Sequence, residues 1–201
     1  MNNTFSPSVF FDLSGFEHKS IFEVEKVWEV LPKISEFIKE HSSQNVTLGE
    51  GTVVEEGAFI KGPAIIGKNC FIAHNAYIRE NVIIGDNVKI GHSVEVKNSI
   101  ILNNTNVAHF NYLGDSILGN DINFAGGAIT ANFRLDGATI KIKHNGEEIE
   151  TGLPKIGAII GDSSKIGVSS VLNPGTILSK NTKIFPLTSV IGVHLNEETI
   201  K

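Results

Sequence analysis

From residue 48 to residue 102 an aliphatic side chain returns at every sixth position: Leu48, Val54, Ile60, Ile66, Ile72, Ile78, Ile84, Ile90, Val96 and Leu102. Four residues after each stands a mostly small partner, as in Thr52, Ala58, Ala64, Cys70, Ala76 and Val82. A period of six fits neither the 3.6-residue turn of a helix nor the two-residue alternation of an ordinary strand. It predicts hexapeptide repeats wound into a parallel β-helix, one short strand and one corner per hexad. Three hexads close a triangular coil, so residues eighteen apart are expected to stack at the strand spacing of roughly 4.8 Å. The beat loosens over Ala108, Leu118, Phe124 and Thr130, with Gly114 as an exception. It returns at Ile160, Ile166, Leu172, Leu178, Ile184 and Val190.

Two stretches break the pattern. Residues 1–44 hold the single tryptophan and six of the twelve phenylalanines, Phe5, Phe10, Phe11, Phe16, Phe22 and Phe37. Ser20 and Glu23 are spaced for a capping box, and Ile21, Val24, Trp28 and Leu31 form a helical stripe that Pro32 ends or kinks. Ile34, Phe37 and Ile38 continue on a second helix. This region is read as a helical cap over the open end of the solenoid. Residues 131–157 are the second break: alternating TIKIK and EEIET flank His144-Asn145-Gly146, a hairpin thrown out of the wall. The expected organisation is a cap over 1–44, a β-helix over 45–195 and a polar tail over 196–201.

Composition narrows the classes. At 201 residues with 41% hydrophobic side chains the chain makes one globular domain plus a small accessory element. A net charge of −5 argues against nucleic acid or an anionic membrane as partner. The single cysteine, Cys70, falls on a small inward position and reads as a buried thiol; no disulfide can form within the chain, which suits a reducing compartment. The first residues lack a basic, apolar leader, and no stretch reaches membrane-spanning length, so a cytoplasmic protein is expected.

Columns are where chemistry is sought. Counting in eighteens puts Lys61, Arg79, Lys97 and Asp115 in one outward column. Arg79 and Lys97, one coil apart, suit a grip on a phosphate, although spacing alone favours a solvated ion-pair ladder. His74 and His92 also stack, but the same count puts Phe110 third, so no metal site is expected. His109 reads as lying on another face, in AHFNYLGDS, with Tyr112 near it and Asn123 and Asn132 following. It is a candidate general base or a structural histidine.

The stretches AYIRENVIIGDNVKIGHSVEVKNS and AHFNYLGDSILGNDINFAGGAITANF resemble the acetyltransferase half of the bifunctional N-acetylglucosamine-1-phosphate uridyltransferases. They resemble more closely the archaeal-type sugar-phosphate nucleotidyltransferases with a hexapeptide tail. The specific part is HxxYLGD with an asparagine twenty-three residues after its histidine. The resemblance implies a left-handed β-helix, a homotrimer, and acetyl-CoA lying along the groove between subunits. It implies His109 as catalytic base, and Arg79, Lys97, Tyr112 and Asn123 as substrate-binding residues. Gly126, Asn132 and Phe133 would face the coenzyme. Phe133 stands where the family has a tyrosine and Ala138 where it has a lysine, so coenzyme contacts are the least supported.

These residues have no room for a nucleotidyltransferase domain, so uridylyl transfer is not expected of them. The reading is an acetyl-CoA-dependent N-acetyltransferase acting on an amino-sugar 1-phosphate, glucosamine 1-phosphate first. A backbone N–H among residues 125–127 would stabilise the oxyanion. Two alternatives stay open: another amino sugar or a nucleotide-linked one as acceptor, or a non-catalytic sugar-nucleotide-binding subunit beside a separate nucleotidyltransferase.

Overall fold

The computed structural model describes residues 4–201. The repeats wind into a three-faced parallel β-helix. Face A has eight strands starting with Val46–Leu48, face B eight starting with Val53–Val54, and face C seven starting with Phe59–Ile60. Neighbouring strands within each face are parallel, Ala64 pairing with Val82, Phe71 with Lys89 and Tyr77 with Glu95. The lumen is aliphatic, with Ile66, Ile72, Ile78, Ile84, Ile90 and Val96 at most 1% exposed. Among the described residues no helix is long and apolar enough to cross a membrane.

Each corner is turned by one residue in the left-handed region, most often an asparagine, which tolerates it well after glycine. Asn69, Asn75, Asn81, Asn87 and Ser93 have φ between 53° and 60°. The next corners are Asn98, Asn104, Phe110, Asp115 and Asp121. Two of those steps, Ser93 to Asn98 and Phe110 to Asp115, are five residues long. Ladder offsets fall accordingly from eighteen (Ala64–Val82) to seventeen (Val82–Ser99 and Ile100–Ile117).

The short corners correct the sequence frame. After Val96 the inward residues are Ile101, Val107 and Leu113, not Leu102, Ala108 and Gly114. Leu102 is fully buried too, but on the outside, under the N-terminal segment. The count carried on to residue 102 only because apolar residues flank the slip on both sides.

Residues 4–44 do not plug the end of the coil. Leu48 at the first coil is 46% exposed, and Val54 and Ile60 are only partly buried. The segment lies instead along face A, whose strands are buried on both sides, as in Ala64–Ile66, Val82–Ile84 and Ala158–Ile160. The outward column Ile65, Ile83, Ile100, Ile117, Ile159 and Ile177 packs against Trp28, Leu31, Ile34 and Ile38, and against Ile140, Ile142 and Ile156 of the excursion. Covering that column stabilises by far more than closing one coil end, at roughly 1.5–3 kcal/mol for each large aliphatic side chain buried.

The local structure of the segment also differs from the expectation. No side-chain cap forms ahead of the short 3-10 turn Lys19–Phe22, and a bend at 24–26 breaks the stripe. Val27–Lys33 is 3-10 with Pro32 inside it and runs straight into the α-helix Ile34–His41. The excursion forms the hairpin Lys141–His144 and Glu147–Glu150. Cys70 is buried, its Sγ 3.1 Å from Gly85 O, and burial pushes its thiol pKa up, away from nucleophile chemistry.

Replacing Ile83, fully buried between face A and the segment, by Ala is expected to cost about 2–5 kcal/mol in urea unfolding. The same change at Ile191, which is 72% exposed, should stay within about 0.5 kcal/mol. Equal losses at the two sites would refute the packing of the segment on face A.

Candidate active site

The short corner at Asn98 decides which side chains share a column. Ser93 N–H donates to His74 O (3.4 Å), Phe110 N–H to His92 O (3.0 Å) and Gly127 N–H to His109 O (2.9 Å). The third member of the histidine column is therefore His109. Counting in eighteens placed Phe110 there and His109 on another face, and the missing residue overturns both placements.

The three imidazoles differ. His74 and His92 are stacked, parallel within 3° and 5.9 Å apart. Each turns its Nδ1 to a carbonyl one coil back, Glu56 O at 2.5 Å and His74 O at 2.9 Å. A carbonyl only accepts, so in both rings Nδ1 carries the proton. His109 leans the other way, over Gly126 in the next coil, where an added Cβ would lie 3.0 Å from its Cδ2. The ring is exposed, and its nitrogens have no partner among the described residues.

The corner beneath His109 is tied from inside. Asn111, 3% exposed, donates from Nδ2 to Ala125 O (2.7 Å) and Ala128 O (3.1 Å). Its Oδ1 is buried without a partner, a cost of roughly 1–3 kcal/mol that this corner carries. Of the three amides at 125–127, Ala125 N–H is used by Ile166 O and Gly127 N–H by His109 O. Only the Gly126 N–H is left, beside the His109 ring. Three coils earlier in the same column the equivalent amide is already an anion receptor, since His74 N–H donates to the Glu55 carboxylate at 2.7 Å.

The basic residues gather on face C and its corner with face A. Arg79 bonds Glu95 (2.9 Å) and Glu80 (3.3 Å), Lys61 bonds Glu80 (3.0 Å), and Lys97 lies 3.5 Å from Asp115. Three cations thus face three carboxylates, and within the chain the column is an ion-pair ladder. The ladder register sets Lys97 opposite Gly114, a second consequence of the shortened coil. Asp115, 5% exposed, also accepts from Asn98 Nδ2 (2.8 Å) and Asn132 Nδ2 (2.5 Å). Asn132 Nδ2 reaches the Tyr112 hydroxyl at 3.2 Å as well. A Cβ at 114 would run into that hydroxyl and Asn132 Nδ2, so a side chain there would displace both groups.

The candidate residues therefore fall into two groups. Arg79, Lys97, Tyr112 and Asn132 share the face C cluster, while His109 and Gly126 share the corner between faces B and C. Asn123 lies on face B, its Oδ1 3.4 Å from Asn106 Nδ2, so one chain does not bring it to Tyr112. Phe133 is half exposed, with Lys155 Nζ 5.8 Å above its ring. Sequence reasoning singled out neither Glu95 nor Asp115 as a site residue. Glu95 and Lys97 sit two apart in one strand and so face the same way, a signal present in EVK. Among the described residues no group of three or more His, Cys, Asp or Glu is placed to hold a metal ion.

Fold and corner geometry define a hexapeptide-repeat β-helix protein. A family model described as the GMPPB C-terminal domain matches residues 60–147. The chain is 36% identical over 80 residues to a bifunctional sugar-1-phosphate nucleotidylyltransferase/acetyltransferase of Sulfurisphaera tokodaii, covering 40% of this chain and 20% of that protein. It is 39% identical over 83 residues to the bifunctional protein GlmU of Methanococcus vannielii, covering 41% and 20%. The resemblance read from the sequence is borne out by these relatives, of whose length the chain spans about a fifth. Among solved structures, the polySia-specific acetyltransferase NeuO superposes with a TM-score of 0.52 at 17% identity over 74% of each chain, a likeness of fold.

Tyr112 offers a spectroscopic handle on the cluster. Burial pushes its phenol above the usual range, the charges of Asp115 and Glu95 push the same way, and the Asn132 bond and Arg79 oppose them. The unfolded phenol ionises near about pH 10 and the folded one higher, so its contribution to stability is full below about pH 10 and is lost as pH rises further. An absorbance titration should show one of the two tyrosines ionising late in the folded protein and normally in urea. Two normal transitions in the folded protein would contradict the burial of Tyr112.

Proposed function

We propose that the chain is an acetyl-CoA-dependent N-acetyltransferase of an amino-sugar 1-phosphate, glucosamine 1-phosphate in the first instance. The observation that carries the reading is the orientation of His109. Alone in its column, it turns from the backbone and stands free over a glycine whose N–H is unused. Relatives whose names include acetyltransferase support the reaction class.

In the proposed reaction the acceptor ammonium loses a proton to His109, since only the free amine attacks. Its nitrogen bonds the thioester carbon, and the carbonyl oxygen takes up charge next to Gly126 N–H. The C–S bond then breaks, the thiolate takes its proton from the imidazolium, and the new amide nitrogen gives up its remaining extra proton to water. Arg79 and Lys97 would hold the phosphate, and Tyr112 and Asn123 the sugar; Asn132 and Phe133 would border the acetyl-CoA. The separation of Tyr112 from Asn123 within one chain supports a site completed by a neighbouring copy, in a homotrimer.

A second acceptor class is favoured by one observation. The three cations of the column are already matched by Glu80, Glu95 and Asp115, so a phosphate dianion gains less there than the cation count suggests. A nucleotide-linked amino sugar, carrying its phosphates as diesters, asks less of that column.

With acetyl-CoA and glucosamine 1-phosphate, thiol release should depend on both substrates and fall by roughly 10²–10⁴-fold in His109→Ala. His74→Ala and His92→Ala should retain most of the rate, because their rings are bonded to the backbone. Gly126→Ala should also lower kcat by displacing the ring. Undiminished release by His109→Ala would refute the base. Release only with a nucleotide-linked amino sugar would select the second acceptor.

A further inference from the structure

We propose that Asp115 is the positioning residue of the site, one buried carboxylate that orients the acceptor side through Lys97 and Tyr112 and the donor side through Asn132. The proposal rests on the acetyltransferase reading for its kinetic consequence and on geometry for the rest. Asp115 sits at the second five-residue corner with φ 49°, where the chain turns from face C to face A. Its backbone is fixed there by bonds to both neighbouring coils: its N–H donates to Lys97 O (3.0 Å), and its carbonyl accepts from Gly157 N–H (2.8 Å).

The side chain then gathers groups from two stretches of chain, Lys97-Asn98 and Asn132. Asn98 belongs to the first short corner, Lys97 to the strand before it, and Asn132 to the point where the excursion leaves the wall. Both carboxylate oxygens are engaged, so the group works as a fixed acceptor and not as a proton shuttle. Asn132 is the link to the chemistry, because the amide that donates to Asp115 also meets the Tyr112 hydroxyl. With the carboxylate in place, Asn132 Nδ2 is held between Asp115 and the phenol. Without it, the amide is free to rotate, and Lys97 loses its only ion-pair partner among the described residues.

Hence the expected signature of Asp115→Asn is a split. Removing an anion beside Lys97 should leave the KM for an anionic acceptor unchanged or lower, while kcat falls by about tenfold as Tyr112 and Asn132 lose their alignment. A merely structural carboxylate would instead lower the melting temperature and raise KM with it. Asn98→Gly is the control, since glycine suits its left-handed corner and the change removes only the bond to Oδ1. It should leave kcat and the tyrosine titration as they are.

The experiment is steady-state kinetics with acetyl-CoA and glucosamine 1-phosphate, together with an absorbance titration of tyrosine in wild type, Asp115→Asn and Asn98→Gly. In Asp115→Asn the late tyrosine transition should move further up, because losing the Asn132 bond that holds it down outweighs losing the nearby negative charge. A kcat within twofold of wild type, or a late transition that does not move up, overturns the proposal. Wild-type protein that releases no thiol with glucosamine 1-phosphate or with a nucleotide-linked amino sugar overturns the acetyltransferase reading instead. The titration then decides the coupling of Asp115 to Tyr112 by itself.

Discussion

The structure depends on the parallel ladder between successive coils. Each strand is two or three residues long and would not persist alone; it is held because its amides meet carbonyls one coil away. The left-handed corner residues set how many residues lie between one ladder and the next. When a corner is short by one residue, the in-and-out alternation restarts correctly in the next strand. What changes is the partner across the coil. The short corner at Asn98 moves His109 into register with His74 and His92 and sets Lys97 against Gly114, and the one at Asp115 shortens the next step on face A.

That register accounts for why one imidazole is free and two are not. His74 and His92 lie over coils whose carbonyls are presented to their Nδ1 atoms, and each takes that bond. His109 has room in the other direction, because position 126 is glycine. A side chain at 126 would press on the ring; its absence lets the imidazole settle over the next coil with both nitrogens uncommitted. An uncommitted imidazole on a stiff wall has little reorganisation left before it meets a proton, the arrangement a general base needs.

The period, the parallel topology and the hairpin were legible in the amino-acid sequence because a hexad repeat has no competing explanation. The slips were not, because Ile101 and Leu102 are both apolar and both buried, one in the lumen and one under the N-terminal segment. The corner residues did carry the information: a left-handed Asn or Ser recurs at 87, 93, 98 and 104, and the short step is visible between 93 and 98. Face A was legible in the same way. Runs such as AII, VII and SII are apolar at the outward as well as the inward positions, the mark of a sheet covered on both sides. The ion pairs of Arg79 and Lys97 were hidden, since they depend on which carboxylates the register brings alongside.

The two halves of the site make opposite physical demands, and the corner between faces B and C separates them. The face C cluster is charged, mutually paired and partly buried, so it is rigid and close to neutral; it can orient a ligand but attracts an anion only weakly. The His109 corner is exposed, and it holds the unpaired groups, an imidazole and one amide. A ligand spanning both would be oriented on one face and react at the other. Within one chain Asn123 turns away from Tyr112 because face B and face C look in different directions. The solenoid is too stiff to bend them together, since every coil is fixed by ladders above and below. Only a second surface set against that corner can close the gap, so the rigidity that frees His109 also leaves the site open on one side.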